Sequence, residues 1–114
     1  MSTFAGIAWL LTAAAMGYLA FEQWSLAALL GSDLATTALF NGAAAAITAY
    51  FGARCLQRPR RRSLTNASWW AGLNVLWGVV QIANGVTNGL FFLVLVGTAV
   101  AGILSFVARE QAPT

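Results

Sequence analysis

Four amides, Asn74, Gln81, Asn84 and Asn88, recur along one side of an otherwise apolar stretch between Thr65 and Asn88. On a helix advancing about 100° per residue, Asn66, Trp70, Asn74, Trp77, Gly78, Gln81, Asn84, Gly85 and Asn88 share roughly one third of the circumference. Leu73, Leu76, Val79, Val80, Ile82, Ala83 and Val86 cover the remainder. Amides are neutral donors and acceptors, so such a face suits polar solutes or helix–helix hydrogen bonds rather than proton or acyl chemistry. The pairs Asn84-Gly85 and Asn88-Gly89 are turn dipeptides, which assigns their asparagines to a hairpin and leaves Asn74 and Gln81 as the embedded amides.

Two further polar side chains lie level with these. At 1.5 Å per residue Gln81 is about 22 Å along its helix from Asn66, in the same outer layer as Asn41, which is about 10 Å in from Leu34. Asn74 and Thr12 are each about 12 Å from the opposite ends of their helices. Thr12, Asn41, Asn74, Trp77 and Gln81 are therefore the candidates for a polar path or for interhelical ties. On the second reading the bonds are Asn41–Gln81 and Thr12–Asn74, worth roughly 0.6 kcal/mol on average and up to about 2. Trp77 needs an acceptor for its indole N–H and packs into the space left by Gly78.

Catalytic and metal chemistry have few residues to draw on. The chain has no histidine, which removes the usual general base and the usual zinc or haem ligand. One cysteine, Cys55, excludes an internal disulfide and a multi-cysteine metal site; it is either a lipid-carrying or an inert thiol. There is no phosphate loop and no nucleophile–base–acid set. Glu22 falls at a helix end, where a charge is cheap. The expectation is a non-enzymatic protein without metal or cofactor.

The elements that position the amides are apolar and long. Of 114 residues, 60% are hydrophobic and 8% charged, against about a quarter charged in a soluble domain, and mean hydropathy is +0.74. Such a chain calls for lipid as its solvent. Four spans are expected, over about 4–21, 34–53, 65–83 and 90–108, with the first retained rather than cleaved as a signal peptide. Ser2 and Thr3 are capping candidates for the first, Gly31-Ser32-Asp33 for the second, and Ser63, Thr65 and Asn66 for the third. Residues 25–30 either prolong the first helix or lie at the interface. Trp9, Trp24, Trp69 and Trp70 are expected in interfacial belts.

Five of the six arginines, Arg54, Arg58, Arg60, Arg61 and Arg62, stand in one short run between the second and third spans. The positive-inside rule places that loop and both termini in the cytoplasm. The arginines set topology or hold anionic headgroups. A short loop tied between two membrane helices is no nucleic-acid site. Small residues at four-residue spacing, Ala38-x-x-x-Gly42-x-x-x-Ala46, Ala45-x-x-x-Ala49-x-x-x-Ala53, Ala13-x-x-x-Gly17 and Gly97-x-x-x-Ala101, offer smooth packing faces. Gly17, Ala38, Gly42, Ala46, Gly78 and Gly97 are the expected packing positions.

The sequence thus predicts an all-α, integral membrane, four-transmembrane-helix up-down bundle of the cytoplasmic (inner) membrane, multi-pass, with both termini inside. The expected function is an accessory subunit that packs against other transmembrane chains, with membrane lipids as its surroundings. The alternative is a small homo-oligomeric channel or transporter with a path lined by the amides of the second and third spans.

Overall fold

A computed structural model of the chain describes residues 2–57, 60–83, 85 and 89–111. Those residues form four α-helices and no strand: α1 (Ser2–Leu30), α2 (Ser32–Gln57), α3 (Arg61–Ala83) and α4 (Gly89–Gln111). They run alternately up and down in a bundle 50 × 25 × 18 Å. The start of α1, the end of α2, the start of α3 and the end of α4 share one end, called here the basic end.

Two glycines in the left-handed region set the turns at the other, distal end. Gly31 has φ +112° and donates its N–H to the Ala27 carbonyl at 2.9 Å, which closes α1. Residues 25–30 therefore prolong α1 rather than lying flat. Asp33 follows in the first turn of α2, where a carboxylate favours the positive end of the helix dipole. Gly85, with φ +94°, donates to the Ile82 carbonyl at 3.0 Å at the end of α3. The hairpin asparagines Asn84 and Asn88 lie outside the described residues.

At the basic end α3 begins earlier than the expected caps. Leu64 N–H already donates to the Arg60 carbonyl at 3.0 Å. Thr65 and Ser68 hydroxyls donate back to the carbonyls of Arg61 and Leu64, at 2.8 and 2.9 Å. Ser63, Thr65 and Asn66 are thus interior positions, since the arginine run continues the helix where a loop was expected.

The helices form an incomplete ring. α1 packs closely on α2 and on α4, and α4 packs on α3, whereas α2 and α3 barely meet. Side-chain size is inverted relative to a water-soluble bundle. The interior is built largely of alanine, including Ala5, Ala13, Ala38, Ala67, Ala71, Ala101 and Ala108, around Trp9, Met16, Leu19 and Leu64. The large apolar side chains point outward: Leu11, Phe21, Leu39, Trp69 and Ile103 each expose about two thirds of their surface. Two segments, Thr3–Ala27 and Gly89–Gln111, are long and apolar enough to cross a membrane. The polar side chains that distinguish α2 and α3 from them include Asn41, Thr48, Asn74 and Gln81.

Close helix approach is made by part of the expected set of small residues together with others outside it. A Cβ on Gly6 would meet the Leu56 side chain at 2.6 Å and the Gly52 carbonyl at 3.0 Å, and one on Gly102 would meet the Ala71 Cβ at 2.5 Å. Gly78 lies against Leu95 and Gly97 against the Thr12 hydroxyl, each leaving 2.6 Å for an added Cβ. Ala38 is buried. Gly17 and Gly42 are not packing positions: nothing stands within 4 Å of a Cβ built there. Ala46 is exposed. The four-residue repeat in α2 runs along a side of the helix that its only close neighbour, α1, does not fully cover.

Candidate functional site

The basic half of the bundle is dry and closed. Trp9 is fully buried and donates its indole N–H to Ser105 Oγ at 2.8 Å, tying α1 to α4. Around it pack Cys55, Leu64, Ala67, Ala71, Ala101 and Ala108. Trp9 is thus a core residue and not an interfacial one, because its ring fills the space that four alanines leave. Cys55 is buried as well, so its thiol is out of reach of a lipidating enzyme.

Midway along the bundle a second tryptophan joins α3 to α2. Trp70 donates to Thr48 Oγ1 at 2.9 Å, and the fully buried Thr48 hydroxyl donates in turn to Met16 Sδ at 3.4 Å. Phe51 stacks near Trp70 with ring centroids 6.4 Å apart. Trp70 therefore bridges helices instead of sitting in a belt; Trp24 and Trp69 keep exposed rings.

Beyond Trp70, toward the distal end, α2 and α3 separate and leave a seam. Its walls are two ridges at helical spacing: Thr37, Phe40, Asn41 and Ala44 on α2, and Leu73, Asn74, Trp77 and Gln81 on α3. Phe40 and Trp77 meet across it with centroids 5.4 Å apart at 40°. Outside this ring pair the seam widens into a chamber of about 510 Å³, lined by Gln23, Thr36, Thr37, Phe40, Asn41, Trp77, Gln81 and Phe91. Inside it lies a pocket of about 30 Å³ that reaches Asn74, Gly78 and Thr98. Thr98 is 1% exposed, and its hydroxyl has no hydrogen-bond partner. A pocket of this size has room for one water molecule.

Asn41, Asn74, Trp77 and Gln81 thus share one seam, while the bonds expected of them differ. Asn41 Nδ2 donates to Gln23 Oε1 at 2.6 Å, not to Gln81. Because α1 continues past Phe21 to Leu30, Gln23 faces inward at the depth of Asn41. Thr12 and Asn74 do not meet either. Each turns back into its own helix, Thr12 Oγ1 onto the Ala8 carbonyl and Asn74 Nδ2 onto the Trp70 carbonyl, both at 2.8 Å. The reason is topological: α1 and α3 lie on the diagonal of the bundle, so Thr12 abuts Gly97 of α4. Thr12 is therefore a packing residue outside the seam. Sequence reasoning missed Gln23, Thr48 and Thr98. Gln23 was recoverable, since it continues the inward stripe Met16, Leu19, Ala20 by one turn.

Among the described residues no three of His, Cys, Asp and Glu cluster to hold a metal. Of the arginine run, Arg60 and Arg62 are exposed, Arg54 and Arg61 are partly buried, and Arg58 lies outside the described residues. Arg109, at the end of α4, sits over the Phe106 ring at 5.7 Å. What the seam offers chemically is a bowl of amide and hydroxyl groups around an aromatic pair, with no charged side chain among the described residues of its lining. No family model, curated protein or solved structure matches this chain.

Proposed function

We propose that the chain is a four-span integral membrane protein, non-enzymatic, whose α2–α3 seam receives a transmembrane helix of another protein, so that it serves as an accessory subunit of a larger membrane complex. The inverted interior supports lipid as the solvent. Alanines inside let backbones approach, and dispersion contact of that kind is what holds helices together in a bilayer; large apolar side chains outside meet acyl chains at no cost. The arginine run and Arg109 at one end then put that end, with both termini, on the cytoplasmic side of the inner membrane.

The observation that carries the subunit reading is the seam itself. Its ridges, Thr37 to Ala44 on α2 and Trp70 to Gln81 on α3, are about 10 and 16 Å long, or two to three helical turns. A guest helix laid along them would cover Phe40, Leu73 and Trp77, which are exposed in the isolated chain, and would meet Asn41, Asn74 and Gln81 as hydrogen-bonding partners. The test is the native mass of the protein extracted from its own membranes in mild detergent. A stoichiometric foreign transmembrane chain, lost in Phe40→Asp, is expected. A monomer or pure homo-oligomer overturns the reading.

A second reading, a small homo-oligomeric transporter, draws on the chamber of about 510 Å³ and its five polar side chains. Against it stands the basic half, where Trp9, Cys55, Leu64 and the alanines leave no continuation of the chamber. Solute flux in liposomes by the purified chain, abolished in Asn74→Leu/Gln81→Leu, would favour this second reading.

A further inference from the structure

A second groove lies on the outer face of α3 and α4 at the basic end and shares Leu73 with the seam. Its volume is about 440 Å³, and Thr65, Ser68, Trp69, Gly72, Leu73, Leu76, Phe106 and Arg109 line it. The floor is apolar and runs parallel to the helices from Thr65 to Leu76, about 16 Å. The mouth is cationic. Arg109 lines the groove with its guanidinium held over the Phe106 ring, and its Nε is buried with no hydrogen-bond partner. Arg62, exposed, stands on the same face of α3 one turn before Thr65. Among the described residues no acidic side chain lines the groove.

We infer that this groove binds one anionic phospholipid, with its phosphate on Arg109 and an acyl chain along Trp69, Leu73, Leu76 and Phe106. The inference rests on the membrane reading above. A phosphate is an acceptor for the open side of the Arg109 guanidinium, and the two match through parallel charge-assisted bonds. The long apolar floor beneath the cation fits a headgroup with a tail, which a free phosphate lacks. The level of Arg109, one turn from the end of α4, is where a headgroup of the cytoplasmic leaflet would sit.

The full-length chain in mild detergent is titrated with phosphatidylglycerol and with phosphatidylcholine of the same acyl chains, and retained lipid is read by native mass. One phosphatidylglycerol is expected, preferred at least tenfold over phosphatidylcholine, with near-parity in Arg109→Gln. Arg60→Gln, whose arginine lies outside the groove, should keep the preference. Gly72→Phe fills an open position on the groove wall and should reduce retention of both lipids, without touching the core. Equal retention of the two lipids by the detergent-extracted wild type overturns the site and leaves the membrane reading standing. An equal loss of preference in Arg60→Gln and Arg109→Gln also overturns the site, replacing it with a diffuse basic surface. Inorganic phosphate competing as well as the lipid does so too. A chain that stays in solution without detergent overturns the membrane reading and the site together.

Discussion

The two ends of this bundle use the same residue types to opposite effect. At the basic end, tryptophan and hydroxyl partners lie inside an alanine-lined core: Trp9 with Ser105 is sealed from all sides. At the distal end, tryptophan and amides lie on a seam that two helices fail to close: Trp77, Asn41 and Gln81 face a chamber. The difference follows from which helices touch. Gly6, Gly52, Gly97 and Gly102 bring α1 against α2, and α4 against α1 and α3. Across the seam α2 and α3 barely meet, and their glycines Gly42 and Gly72 have no close neighbour. Composition alone therefore does not distinguish a closed core from an open seam; small-residue contacts do.

The sharpest way to break this contrast is to remove the plug of the closed end. Trp9→Ala should cost about 3–5 kcal/mol, the range for a buried large aromatic, and leave Ser105 without its donor. Thermal unfolding in detergent measures it, with Trp77→Ala as the distal counterpart. Equal losses from the two would remove the distinction between core and seam.

The glycines give a smaller effect with a change of sign. Gly102→Ala drives a Cβ to 2.5 Å from the Ala71 Cβ, a rigid neighbour, and should destabilise by about 1–3 kcal/mol. Gly17→Ala meets nothing and should stabilise by about 0.5–1 kcal/mol through helix propensity. A loss at Gly17 as large as that at Gly102 would show that the expected packing face of α1 is in use after all.

Thr98→Val replaces a buried, unpartnered hydroxyl with a methyl of the same shape. Stability should rise by about 1 kcal/mol, since the lone hydroxyl carries a desolvation penalty. A loss of similar size would mean that the inner pocket holds a water or ligand bonded to Thr98. Smallest of all is the amide pair at the mouth. A double-mutant cycle on Gln23→Ala and Asn41→Ala should give a coupling of about 0.6 kcal/mol, and one on Asn41→Ala and Gln81→Ala none. The reverse ranking would restore the Asn41–Gln81 tie.

Much of the architecture was legible in the chain. Gly31-Ser32-Asp33 and the Asn-Gly pairs mark the distal turns, and the apolar runs between them mark four helices. Helix ends at the basic side were not legible, because arginines read as loop also continue a helix. The candidate amides were found by their spacing, and Asn41, Asn74, Trp77 and Gln81 do share one site. Their partners were not found, for two physical reasons. Depth matching ignores which helices are neighbours, so Thr12 was paired across a diagonal. It also inherits errors in helix length, so it misses Gln23, two residues past the expected end of the first span. Trp9 shows a third limit: an aromatic near a helix end reads as interfacial until the alanines around it are known to face inward.

The central claim is that the α2–α3 seam, and no other apolar face, is occupied by a helix from another chain. The most direct measurement places a photoreactive benzoyl-phenylalanine at Phe40, 58% exposed on the seam, and separately at Ile103, 64% exposed on α4, and irradiates native membranes. One discrete adduct with a foreign transmembrane protein is expected from position 40, absent when Asn41 and Gln81 are both leucine, with lipid adducts alone from position 103. Foreign adducts of equal yield at both positions, or lipid or self adducts alone at position 40, would contradict it.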